Sequence, residues 1–293
     1  MVLKDLDVYS FLLFLKKTSM LQLSEIWIYP VKSLAGIRLE ESRVTQRGLE
    51  YDRRWMLVDE EGVFISQRTH PKLALFQPKI EKDIFHISHA DLSKGSVSFS
   101  LSQQNNNALS DVMVWEDCVA AVEVDAEISA WFSEILGFSV RLVYMPDESQ
   151  RKVDPDFAVS PTDITSFSDG FPFLIIGQSS LDDLNSRLAE NLSIRRFRPN
   201  FVFSGGQAYE EESWKEFTIG TLLFYGVKPC GRCIMTTVNP EKGVFSGKDP
   251  LFTLSKYKKV GEKVIFGQNA IAKQDGNLKV SDVVTVVKHS DSK

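Results

Sequence analysis

Short β-type runs, broken every few positions by turn residues, constrain this 293-residue chain more than any other feature. Residues 24–29 alternate in period two, are rich in β-branched and aromatic side chains, and stop at Pro30. Runs at 37–45, 55–59 and 63–66 follow, the last two joined in hairpin fashion by Glu60-Glu61-Gly62. Runs at 75–81, 84–89, 96–101 and 112–124 continue the series, with the polar stretch 103–107 as a loop tip. The second half resumes at 201–204, 217–227, 233–238, 263–266 and 283–287. Strands this short and frequent predict a mainly β fold with some helices (α+β), built as barrel or sandwich and not from βαβ units.

Two segments carry the helical period instead. Over 125–136, Ile128, Trp131, Phe132, Ile135 and Leu136 share one face, with Asp125 to cap the start and Gly137 the end. Over 180–192 the stripe is Leu181, Leu184 and Leu188, and Ser180 with Asp183 forms a weak capping box. Between them, 146–170 is rich in Pro, Asp and Ser and reads as a long loop at the domain junction. The expected organisation is an N-terminal segment at 1–22, a first domain at 23–145 and a second at 146–288.

Charge and cysteine content narrow the function. Lys and Arg number 34 against 39 Asp and Glu, a net charge of -5, which argues against nucleic acid or another polyanion as partner. Three Cys are too few for a disulfide framework and point to a reducing compartment, so a cytoplasmic location is expected. The apolar run at 8–15 is too short to span a membrane, has Asp5 and Asp7 beside Lys4 ahead of it where a signal would want cations, and has no clean cleavage site. It reads as an amphipathic or core-packing helix without stable membrane insertion; a peripheral anchor or a non-native start are the alternatives.

The sharpest chemical signal is Lys228-Pro229-Cys230-Gly231-Arg232-Cys233. Structural zinc wants four N/S ligands, and the only other cysteine is Cys118, so a tetrathiolate site is arithmetically impossible. A thioredoxin-like dithiol normally opens a helix, whereas the residues after Cys233 are β-branched and read as strand. What remains is one thiolate beside the cation Arg232, or a cysteine with no chemical role. A second signal is cations at strand ends: Lys32-Ser33, Arg53-Arg54, and Arg195, Arg196 and Arg198. Converging in loops of an acidic protein, they suggest a site for a phosphate-bearing cofactor; each alone reads as a solvated loop end.

Ile28-Tyr29-Pro30-Val31-Lys32-Ser33, Asp52-Arg53-Arg54-Trp55, Phe197-Arg198-Pro199-Asn200 and Pro229-Cys230-Gly231-Arg232-Cys233 stand in the order seen in MOSC-domain proteins. Phe266-Gly267-Gln268-Asn269 and Leu278-Lys279-Val280-Ser281-Asp282-Val283 fit as well. Over about residues 24–287 the chain resembles the branch that holds bacterial YcbX and the mitochondrial amidoxime-reducing component. The resemblance implies a β-rich N-terminal MOSC module followed by a MOSC β-barrel domain, with the molybdenum–molybdopterin cofactor (Moco) between them. It makes Cys233 the thiolate ligand of molybdenum, a suitable soft donor. It places cofactor contacts at Lys32, Ser33, Arg53, Arg198, Asn200, Arg232 and Asn269 and along Asp169-Gly170-Phe171. Asp169 becomes an acid/base or substrate-orienting group, although on its own it reads as a turn residue. Gly231 stands where relatives often carry a polar residue and would leave only a backbone contact; Cys230 reads as a neutral thiol beside the ligand.

The implied function is a molybdenum-dependent N-reductase-type oxidoreductase acting on amidoximes, hydroxylamines or N-hydroxylated bases. No cysteine follows Cys233, so no built-in iron–sulfur cluster is expected and electrons would come from a separate flavin, haem or iron–sulfur protein. An alternative is a cofactor-binding or sulfur-transfer module in which Cys233 carries sulfur. MOSC domains also end molybdenum-cofactor sulfurases, whose pyridoxal phosphate binding is a superfamily-level association.

Overall fold

The computed structural model describes residues 20–102 and 108–290. The N-terminal run at 8–15 and the loop at 103–107 lie outside the described residues. Among the described residues strands dominate, as the sequence pattern predicts, with three short α-helices at Ala126–Leu136, Gln178–Asn185 and Leu251–Ser255.

The largest sheet runs Ile37–Leu39, Gln22–Ile28, Phe201–Ser204, Phe173–Gly177, Lys263–Ala272, Leu222–Arg232, Trp214–Ile219, Val284–His289. Gln22 also bridges Val283, and the Leu23 N–H donates to the Asp282 carbonyl at 2.9 Å, so the far edge returns to the first strand. Phe173–Gly177 is buried at every position because both of its faces are covered. Phe173 and Ile175 join Phe201, Trp214, Phe217 and Phe224 on one side; Leu174 and Ile176 pack with Leu181, Leu184 and Phe197 on the other.

The first half adds a four-stranded sheet in the order Trp55–Val58, Arg141–Tyr144, Asp117–Glu123, Leu109–Val114. Trp55 and Leu57 face a core with Phe76, Phe85 and Phe132, while Met56 and Val58 face Val112, Val143 and Phe167. The helix Ala126–Leu136 closes the first of these cores with Ile128 and Phe132. Asp125 caps it, accepting from the N–H groups of Glu127 and Ile128, and Gly137 ends it in the left-handed region at φ 83°. The strand Gln22–Ile28 pairs with Phe201–Ser204, and Glu41–Thr45 with Gly276–Lys279, so early residues are hydrogen-bonded into the late half.

Several expectations are corrected. The run at 112–124 is a hairpin of Leu109–Val114 and Asp117–Glu123, turning at Trp115-Glu116 without Gly, Pro or Asn. The run at 217–227 likewise hides a turn between Trp214–Ile219 and Leu222–Arg232. The second helix ends at Asn185, and Ser180 caps nothing: its hydroxyl bonds the Glu211 carboxylate at 2.9 Å. The 63–66 run forms no strand, only bridges from Val63 to Met113 and from Phe64 to Val58. The loop 146–170 contains a ladder of Arg151–Lys152 on Ile164–Thr165. The run expected at 233–238 is a strand only from Val238: Cys233 caps a 3-10 turn at Ile234–Thr237, where the Thr236 and Thr237 hydroxyls fold back onto the carbonyls of Cys233 and Ile234. The strand argument against a redox dithiol therefore falls, but Cys230 still lies in a strand and four residues of 3-10 helix carry little dipole.

Candidate active site

The loop after the first strand is knitted to the segment at 52–55. Lys32 N–H donates to the Trp55 carbonyl at 2.8 Å, Trp55 N–H to the Pro30 carbonyl, and Arg53 N–H to the Tyr29 carbonyl. Asp52 is 1 % exposed and holds this corner: Oδ1 accepts from the Tyr29 N–H at 2.7 Å and Oδ2 from Arg53 Nη1 at 2.6 Å. Arg53 and Arg198 then lie over the same buried Tyr29 ring, their guanidinium carbons 4.4 and 4.1 Å from its centroid. Ser33, Arg53 and Arg198 all take left-handed backbone, at φ 70°, 50° and 55°, a costly conformation for side-chain-bearing residues that clusters at functional sites.

A cavity of about 1060 Å³ opens where these loops meet the end of the strand Leu222–Arg232. Lys32, Ser33, Arg53, Asp169, Gly170, Phe171, Arg198, Asn200, Gly231, Arg232, Cys233 and Asn269, far apart in sequence, all line it. Some are already engaged. Arg198 Nη1 donates to the Leu34 carbonyl at 2.6 Å and Arg53 Nη2 to the Arg198 carbonyl at 3.1 Å. Asn200 bridges two strand ends, donating to the Trp27 carbonyl and accepting from the Leu174 N–H. Arg232 Nη1 lies 2.8 Å from Cys230 Sγ, and its Nη2 donates to the Phe197 carbonyl, while its buried Nε has no partner among the described residues.

Lys32 and Asp169 form the electrostatic centre. Lys32 Nζ is 2.6 Å from Asp169 Oδ1 and donates also to the Phe167 carbonyl at 2.8 Å. Burial pulls the Lys32 ammonium down to about 8 from its ordinary 10.5, with Asp169 opposing. Desolvation works to raise the Asp169 carboxyl, but Lys32 and Arg68 outweigh it and hold the group well below the usual carboxylate range. Arg198 is lowered to about 10 by burial and by its neighbour Arg53.

Three residues not found from the sequence complete the cavity. Arg68 Nε lies 3.3 Å from Cys233 Sγ and Nη2 lies 3.4 Å from Asp169 Oδ2. The buried Arg151 ties the 166–169 loop down through the carbonyls of Ser166, Ser168 and Asp169, and pairs with Asp117 at 2.7 Å. Trp115 stands at the hairpin tip under the Arg68 guanidinium, 4.2 Å away. None belongs to a motif; the only local hint at Arg68 is its place in the polar stretch Ser66-Gln67-Arg68-Thr69 between apolar runs.

The model of the MOSC N-terminal beta barrel domain matches residues 20–139, and that of the MOSC domain matches residues 162–285. Mitochondrial amidoxime-reducing component 1 of Mus musculus is 33% identical over 278 residues, covering 89% of this chain and 81% of the relative. The Homo sapiens protein of the same name is 33% identical over 276 residues, with the same coverage. Among solved structures, the YUAD protein from Bacillus subtilis matches 94% of this chain and 99% of its own at 10% identity, with a TM-score of 0.43. The chain is a MOSC-domain protein, and within that class it belongs to the family of the mitochondrial amidoxime-reducing components. No helix among the described residues is long and apolar enough to cross a membrane, and the three cysteines are free thiols.

Proposed function

We propose that this protein is a molybdenum-cofactor-dependent oxidoreductase that reduces N-hydroxylated small molecules, such as amidoximes, hydroxylamines and N-hydroxylated bases, with electrons from a separate redox protein. The observation that carries this reading is the meeting of Cys233, and Cys230 beside it, with Lys32, Asp169 and several arginines in a single cavity. The relatives named as amidoxime-reducing components support the reaction class. Three free thiols suit a reducing compartment such as the cytoplasm.

The residues present fit the cofactor. Cys233 offers a soft sulfur donor for the metal. Arg53, Lys228, Arg198 and Arg232 line the cavity and would face an anionic cofactor, and the unpartnered Arg232 Nε is a buried donor waiting for an acceptor. Residues 23–145 and 146–288 would each contribute part of the cradle. When bound, the cofactor supplies the two-electron metal centre that accepts oxygen from an N–O bond.

The chain's own groups would orient the substrate and handle protons. Asp169, ionised between Lys32 and Arg68, accepts a hydrogen bond from the substrate N–OH and cannot donate one. Lys32 Nζ, titrating at about 8 and touching Asp169, is the cation beside the site able to release a proton near neutral pH.

The experiment is to purify the protein from a molybdenum-replete host, assay molybdenum, pterin and N-reduction, and repeat with Cys233→Ala. Loss of turnover with the alanine is expected; full molybdenum-dependent turnover would refute Cys233 as ligand. A native mass heavier by one sulfur, without turnover, would favour the sulfur-transfer alternative.

A further inference from the structure

Phe64 and Trp115 both line the cavity that holds Cys233, and neither has a role in the cofactor cradle. Their rings pack on each other with centroids 4.9 Å apart at 55°. Trp115 nevertheless keeps 40 % of its surface exposed, which is unusual for the largest apolar side chain when a core lies beside it. It occupies a left-handed position, φ 59°, at the tip of a two-residue hairpin turn that Asn or Gly would fill without strain. The strain holds an indole at the cavity rim.

The charges around these rings define what can lie on them. Lys32 Nζ is 5.3 Å from the Phe64 centroid and 5.7 Å from that of Trp115, and Arg68 covers one indole face at 4.2 Å. Two cations already satisfy the electron-rich ring faces, so a third would be repelled. An anion would seat on Lys32 and Arg68 themselves and not on the negative ring faces, so the remaining aromatic surface suits an uncharged, flat group meeting the rings edge-to-face or offset-stacked. Arg68 links this surface to the thiol, because the guanidinium over Trp115 also reaches Cys233 Sγ at 3.3 Å.

We propose that Phe64 and Trp115 form a specificity wall for substrates whose N–O group is attached to an uncharged aryl or other conjugated plane. The proposal deepens the N-reductase reading and rests on it for the identity of the ligand's reactive end. The wall selects between substrates that share one reactive group but differ in the attached plane.

The test measures binding by calorimetry to the holoenzyme, without an electron donor, using benzamidoxime and acetamidoxime. The two share the amidoxime and differ in phenyl against methyl. The wild type is expected to bind the phenyl compound at least ~10-fold more tightly. Trp115→Ala should abolish most of that preference, weakening benzamidoxime binding far more than acetamidoxime binding, and Trp115→Phe should keep it. Trp115→Leu, which retains apolar bulk without a π face, serves if the alanine variant loses its molybdenum or its cooperative melting. Equal affinity for both amidoximes in the wild type, or a preference that survives loss of the indole, would overturn the proposal. In a parallel assay with a reduced electron donor supplied, phenyl-selective binding without turnover would sink the reductase reading and leave the wall standing; turnover without phenyl preference would do the reverse.

Discussion

Arg68 Nε lies 3.3 Å from Cys233 Sγ across 165 positions of sequence, and the same guanidinium reaches Asp169 Oδ2 at 3.4 Å. The site thus has a cation that spans its thiol and its carboxylate. Charge-assisted contacts of this kind are worth about 1.5–3 kcal/mol each. Arg68→Ala is therefore expected to lower turnover roughly 10- to 100-fold in a steady-state assay, with the melting temperature little changed because the side chain is partly exposed. Arg68→Lys should recover only part of it, since a point cation cannot keep both contacts and the stack on Trp115.

The Lys32–Asp169 pair makes a prediction about titration. Asp169 opposes the burial that lowers Lys32 to about 8. Asp169→Asn removes that support, so Lys32 is expected to titrate below 8, measured by side-chain nitrogen NMR or by the pH dependence of its acylation. In the native protein the unfolded lysine, at 10.5, binds a proton that the folded one has released between about 8 and 10.5. This group's contribution to stability accordingly rises with pH through that window, and the variant should begin to gain at lower pH.

Tyr29 tests the cost of an orphaned hydroxyl. Its ring is buried between Arg53 and Arg198, but its Oη has no partner among the described residues. Removing that oxygen keeps both ring contacts and relieves an unpaired polar atom. Tyr29→Phe is expected to leave stability unchanged or raise it by about 1 kcal/mol in urea denaturation, whereas Tyr29→Ala should cost about 3–5 kcal/mol. A clear loss with phenylalanine would mean the hydroxyl has a partner in solution.

Glu211 lies away from the cavity and is fully buried, accepting from the Gly177 N–H at 3.1 Å and the Ser180 hydroxyl at 2.9 Å. Burial pushes its carboxyl up to about 7 from 4.5, against those hydrogen bonds. Between these pH values the folded state keeps a proton that the unfolded state releases, so this contribution is full below 4.5 and is lost as pH rises through 7. The loss is on the order of 3 kcal/mol. Glu211→Gln should flatten the stability profile from pH 5 to 8; an unchanged slope would show that another group titrates there.

The strand count and the first helix were readable because their signals are local. Asp125 and Gly137 bracket 126–136 in the sequence as they do in space. The hairpin at Trp115-Glu116 was not readable, since its left-handed turn uses a tryptophan where turn chemistry leads one to expect Asn or Gly. The 3-10 turn after Cys233 was missed for a related reason. Thr236 and Thr237 favour strand by propensity, yet their hydroxyls bond backward to Cys233 and Ile234 carbonyls. At the cavity, the positions carried by family motifs came together, while Arg68, Arg151 and Trp115 belong to no motif and stayed hidden.

By itself the sequence determined the β-rich class, the capped helix at Ala126–Leu136, the scarcity of cysteine and the motif order that marks a MOSC-domain chain. Periodicity, capping and composition depend only on residues a few positions apart. Tertiary structure alone decided that Gln22–Ile28 pairs with Phe201–Ser204, and that Arg68 meets Cys233 and Asp169. Such partners are chosen by which faces can be buried together and which buried polar groups can be satisfied at once, and no short window of sequence contains both sides of that choice.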